Sequence, residues 1–132
     1  MNSNITGIHH VALKAKGVEN FNKMLEFYNE ILGLPVTKRW GEGDNLVAML
    51  DTGAGCLEIF SNAPDILSTG ALRHLAFAVK DTDACIEAVR AAGYKITMEP
   101  TDIVLASDPP LPARIAFCIG PVGEEVEFFC EK

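Results

Sequence analysis

The sequence predicts an α+β fold built from two copies of one unit, and three observations carry that prediction. The run Ile8-His9-His10-Val11-Ala12-Leu13-Lys14-Ala15 returns as Leu72-Arg73-His74-Leu75-Ala76-Phe77-Ala78-Val79, so the chain repeats weakly from one half to the other. Each of these alternating runs is followed by apolar residues at helical spacing that stop at a glycine. Each copy then closes on short alternating runs separated by Gly-rich turns, which read as strands.

Taken in order, residues 8–15 form a strand with His10, Ala12 and Lys14 on one face and Val11, Leu13 and Ala15 on the other. Phe21, Met24, Leu25, Tyr28, Ile31 and Leu32 then make one apolar stripe of a helix, which Gly33 and Pro35 end. Strands follow at 46–50 and 56–60, and the polar, Pro- and Gly-containing residues 61–71 connect the copies. In the second copy His74, Ala76 and Ala78 share a face, with Leu75, Phe77 and Val79 opposite. Asp81, Thr82 and Asp83 offer a helix N-cap, Ile86 and Val89 supply the stripe, and Gly93 closes the helix before Tyr94. Residues 99–113 carry Pro100, Pro109, Pro110 and Pro112 and read as a loop over one face, before strands at 115–119 and 125–130. Each unit is thus a strand, a helix and about three strands, with halves near 5–62 and 71–131 of a single domain spanning 1–132.

The length of 132 residues allows one compact domain, and 48% hydrophobic with 22% charged residues is the composition of an ordinary globular protein. No window approaches the ~18 consecutive apolar residues of a membrane span. The opening Met1-Asn2-Ser3-Asn4 lacks the basic and apolar regions of a signal peptide, so the expected compartment is the cytoplasm. With 11 Lys and Arg against 18 Asp and Glu, the formal charge of −7 repels nucleic acid and anionic membranes, and neither is an expected partner. Cys56, Cys85, Cys118 and Cys130 show no C-x-x-C spacing and lie in apolar runs, which predicts reduced core thiols.

The last strand of each copy holds a carboxylate in an apolar setting, Glu58 between Leu57 and Ile59 and Glu127 between Val126 and Phe128. Alternation sends both carboxylates away from the helix-packed core, to the face on which His10 and His74 stand. His74 follows His10 by 64 positions and Glu127 follows Glu58 by 69, so related frameworks offer the same pair twice. Two imidazoles and two carboxylates suit a divalent first-row metal with positions left for water or substrate, and Zn, Ni, Co, Mn and Fe(II) all fit that donor set. His9 alternates to the opposite face and is expected to be a packed or capping residue.

The pattern His10-Val-Ala-Leu, Phe27-Tyr28-Asn-Glu-Ile-Leu32-Gly33-Leu, Cys-Leu-Glu58-Ile, His74-Leu-Ala-Phe-Ala-Val and Val-Glu127-Phe resembles the vicinal oxygen chelate superfamily, within it the small metal-dependent glyoxalase I type. The resemblance runs from Ile8 to Cys130. It implies two βαβββ modules with mixed sheets curled around a shared metal site, the glyoxalase/dioxygenase-like fold. It further implies a homodimer in which His10 and Glu58 of one chain join His74 and Glu127 of its partner. The metal would polarise two neighbouring oxygens of a thiohemiacetal and stabilise an enediolate, while Glu127 or Glu58 moves a proton between adjacent carbons to give a thioester.

The family's glutathione-holding pair, an arginine four residues past the first histidine and an asparagine four past the first glutamate, corresponds to Lys14 and Asn62. Asn62 matches; Lys14 keeps the charge but lacks the planar fork of an arginine. The family's Asp-Pro-Asp-Gly turn before the last strand is altered to Gly120-Pro121-Val122-Gly123. Three other readings share this framework: a thioester epimerase with the same metal and carboxylates, an Fe(II) extradiol-type dioxygenase, and a non-catalytic antibiotic-binding protein. A fourth ligand, Glu58, counts against the dioxygenase, which needs two His and one Glu.

Overall fold

The computed structural model describes residues 8–66 and 72–132. The chain divides into two compact units, with the boundary between residues 66 and 67.

In the first unit, strand β1 (His10–Lys14) leads into helix α1 (Gly17–Leu25), followed by β2 (Val36–Glu42), β3 (Asn45–Asp51) and β4 (Cys56–Phe60). The helix continues from Glu26 to Ile31 in the wider π geometry. Of the expected stripe, Phe21, Met24 and Tyr28 are fully buried and Leu25, Ile31 and Leu32 half-buried, while Phe27, outside that stripe, is fully buried with Ala48, Leu50 and Ile59 of the strands. Each such large side chain contributes about 1.5–3 kcal/mol by leaving water. Gly33 takes a positive φ of 80° and so ends the helix in a conformation open to glycine. The sheet order is β1-β4-β3-β2, with β1 parallel to β4 and the remaining neighbours antiparallel.

The second unit repeats this topology with β5 (Leu75–Ala78), α2 (Thr82–Ala91), β6 (Ile96–Leu105), β7 (Leu111–Ile119) and β8 (Glu125–Glu131). Its order is β5-β8-β7-β6, again with only the first pair parallel. Asp81 caps α2 by accepting from the Ala84 N–H at 3.0 Å, and Gly93, with φ 90°, stops it as Gly33 stops α1. Ile86 and Val89 are buried with Ala113, Ala116, Cys118, Val126 and Phe128 of the strands. Both units are therefore βαβββ modules, as the repeat predicts.

Residues 99–113 are not a loop. Strand β6 runs to Leu105 and β7 starts at Leu111, which leaves 106–110 as the connection. Pro100 is tolerated because β6 is the outer strand of its sheet and its pairing slips between Met98 and Thr101. The outer strand β2 was equally hidden in the sequence, since all but its first residue are exposed and no alternation survives. Only Cys118 is buried; Cys56, Cys85 and Cys130 are half-buried, short of the core predicted for them. The last part of the expected connection, residues 67–71, and the expected module starts near 5 and 71 lie outside the described residues.

Candidate functional site

Each unit brings one histidine and one glutamate together on one sheet face. In the first, Ala12 pairs with Glu58 and His10 with Cys56 across the parallel β1–β4 ladder, so His10 lies diagonally from Glu58 on the same face. His10 Nε2 is 3.6 Å from Glu58 Oε1. In the second, Ala76 pairs with Glu127 and His74 stands just before β5, giving the same diagonal. His74 Nε2 is 3.2 Å from Glu127 Oε1. The two frameworks thus reproduce one geometry, and in both the imidazole is open to solvent while the carboxylate is recessed.

What surrounds the pairs differs. Across the antiparallel neighbour, Glu58 faces Met49 of β3 and Glu127 faces Phe117 of β7. The Phe117 ring meets His74 edge to face, with centroids 5.6 Å apart and planes at 88°. Burial raises the Glu127 carboxyl above the ordinary glutamate value; the His74 imidazole pulls against that rise and Glu125 adds to it. His9 is neither packed nor capping: it is exposed, and its Nδ1 lies 3.0 Å from His10 Nδ1. Strand alternation fails as a guide there because β1 begins at His10, one residue later.

The sequence matches the Glyoxalase/Bleomycin resistance protein/Dioxygenase superfamily over residues 7–107, well over half of the chain. The chain belongs to that superfamily. Among solved structures, the protein SMU.1112c is 28% identical, with a TM-score of 0.74 over 96% of this chain and 99% of that one. A glyoxalase I variant from Zea mays is 20% identical, with a TM-score of 0.73 over 93% of this chain and 44% of that one. TnmS3, an antibiotic-binding protein from a Streptomyces species, is 16% identical, with a TM-score of 0.74 over 99% and 100% of the two chains. The last two likenesses show the shared glyoxalase-superfamily fold. No functionally curated protein matches the chain.

Within this superfamily fold, an imidazole nitrogen and a carboxylate oxygen on one face are the donor types that borderline divalent cations take. The chemistry of each pair fits such a cation, and the number falls short: among the described residues no three His, Cys, Asp or Glu side chains gather as a metal-holding group. Each unit offers two such donors. Lys14 is exposed on the His10 face, with Nζ 5.6 Å from the centroid of the Phe60 ring that pairs beside it. Asn62 is exposed just past the end of β4. At the corresponding place in the second unit, Ala78 stands for Lys14 and leaves an open depression of about 450 Å³ lined by Ala76, Ala78, Val79, Phe129 and Glu131.

Two neighbours of the pairs were not expected from the sequence: His9, which alternation sent to the opposite face, and Phe117. The doubled His9-His10 was a visible signal for the first. Nothing short of the β7–β8 register, which sets Phe117 opposite Glu127, reveals the second.

Proposed function

We propose that the chain is a metal-dependent lyase or isomerase of the glyoxalase I type, acting on a thiohemiacetal or a related α-oxo substrate. The observation that carries this reading is the repeated pair: His10 with Glu58 at 3.6 Å and His74 with Glu127 at 3.2 Å, on like faces of like units. A half-set in each unit fits a centre closed by two copies of the chain, so His10 and Glu58 of one chain would join His74 and Glu127 of its partner in a homodimer. Zn, Ni or Co suits the donor set best, and Mn or Fe is also compatible.

A bound divalent cation would polarise the substrate oxygens and stabilise the charge that develops there. Glu127 takes the proton from the hydroxyl-bearing carbon and delivers it to the adjacent carbonyl carbon, while the hydroxyl proton shifts between the oxygens, so that a thiohemiacetal becomes a thioester. Its recessed carboxylate, the less exposed of the two and beside His74 Nε2, supports the role of base. Glu58 is the second candidate base, serving the opposite face of the substrate. Lys14 and Asn62 hold the carrier thiol, Lys14 by charge and Asn62 by its amide. Four unpaired thiols suit the reducing cytoplasm.

Purified protein should carry a divalent metal by elemental analysis and convert methylglyoxal in the presence of a thiol when loaded with Zn, Ni or Co. Dilution below the dimer dissociation constant should abolish metal binding and activity together, and a verified monomer that keeps both overturns the shared centre. A second reading, a small-molecule binder without catalysis, is favoured by the likeness to TnmS3 and by the depression beside Phe129. Protein that takes up no metal even on reconstitution selects that reading.

A further inference from the structure

We propose that His9 is a positioning residue: its Nδ1 accepts the Nδ1–H of His10 and so presents the bare His10 Nε2 to the divalent cation. The inference rests on the metal reading of His10 given above. An imidazole that offers Nε2 to a cation must keep its remaining proton on Nδ1, and that N–H needs an acceptor that fixes tautomer and ring orientation. Around His10 the two nitrogens are unequally served. Nε2 stands 3.6 Å from Glu58 Oε1, too long for a hydrogen bond, whereas Nδ1 has the His9 Nδ1 at 3.0 Å. The rings cross at 87° with centroids 5.2 Å apart.

The backbone holds His9 in place for this contact. Its carbonyl accepts from the Cys56 N–H at 2.9 Å, tying it to the first residue of β4. Immediately before, Gly55 has φ 157° and approaches so closely that an added Cβ would lie 2.8 Å from the Ile8 carbonyl oxygen and 3.3 Å from that of His9. Only glycine lets β4 begin against this segment. The second unit does not copy the device. Arg73 stands where His9 would be, and a guanidinium has no acceptor; His74 is steadied instead by the Phe117 edge.

The test is nitrogen-labelled, zinc-loaded protein, with zinc affinity measured separately by competition with a chromophoric chelator. The His10 Nδ1–H proton should exchange slowly and show a nitrogen–nitrogen coupling to His9 Nδ1 across the hydrogen bond. His9→Phe should remove both signals and weaken zinc binding about tenfold, the lower end of what an outer-sphere partner is worth. His9→Asn, whose amide oxygen accepts, should restore the proton signal and return zinc affinity to within about threefold of the parent. Absence of the coupling in the parent protein, or parental zinc affinity in His9→Phe, overturns the positioning role. His10→Ala reports on the underlying reading: undiminished zinc affinity there overturns the metal centre and the positioning role with it, whereas lost affinity there with His9→Phe unaffected overturns the positioning role alone.

Discussion

The two units set the same histidine and glutamate on the same diagonal of the same parallel ladder and then support them with different materials. In the first, His10 leans on a second imidazole, Met49 faces the carboxylate, and the Glu58 side chain is 16% exposed. In the second, an aromatic edge steadies His74, Phe117 faces the carboxylate, and the Glu127 side chain is 9% exposed. The ladder thus fixes where the pair stands, while the residue that faces the carboxylate from the next strand differs, Met49 in one unit and Phe117 in the other. A duplicated fold can keep one pair of side chains and still set its two carboxylates in different surroundings, which is what the proposed role of Glu127 as main base requires.

The largest expected effect tests that division of labour. Glu127→Gln should lower turnover by a factor of about 100 or more, the usual worth of a general base, while sparing much of the metal affinity. Glu58→Gln should cost less, because its carboxylate is the more exposed of the two. Steady-state kinetics on the two variants, loaded with the same metal, decide the matter; equal or reversed losses break the contrast between the units.

A middle-sized effect is expected at the residue that makes the difference. Phe117→Ala removes a half-buried ring that packs on His74 and stands opposite Glu127 in the β7–β8 register. It should destabilise the protein by about 2 kcal/mol, below the range for a fully buried phenylalanine, as read from urea unfolding. With the ring gone, the Glu127 carboxyl should titrate closer to an ordinary glutamate, which carboxyl NMR can follow. A loss of stability without a change in that titration would mean that burial by Phe117 is not what raises it.

These contrasts also mark what the sequence could and could not reveal. The faces of β1, β4, β5 and β8 were legible because alternation in a strand with one packed face assigns every side chain at once: Leu57 and Ile59 go in, so Glu58 goes out with His10. The helix ends were legible because Gly33 and Gly93 sit at positive φ, where few other residues go. Outer strands were not, since β2 has almost no buried residue and β6 carries Pro100 at a slip in its pairing. Neighbours across a ladder were not legible either. That Phe117 faces Glu127, or that His9 can reach His10 from outside the strand, depends on register and on where a strand begins, and neither is written in the local pattern.

The smallest effect is the most specific to the comparison, and it is read as stability against pH in metal-free protein. Burial raises the Glu127 carboxyl in the folded chain, so the folded state binds that proton more tightly than the unfolded state does. Below the ordinary glutamate value both states are protonated and no penalty exists. As pH rises through the interval up to the raised value, the unfolded chain ionises first and stability is lost, and above that value the loss is complete. Glu127→Gln, which cannot ionise, should therefore match the parent in acid and be slightly the more stable of the two at neutral pH. Glu127→Gln made in the Phe117→Ala background should show less of this neutral-pH gain, because the two changes act on one contact and do not add. Met49→Phe should create the corresponding gain for Glu58→Gln in the first unit, since it supplies the facing ring that unit lacks. Thermal melts from pH 4 to pH 8 on these variants would show it, and a gain that is independent of Phe117 would place the cause of the Glu127 shift elsewhere in the second unit.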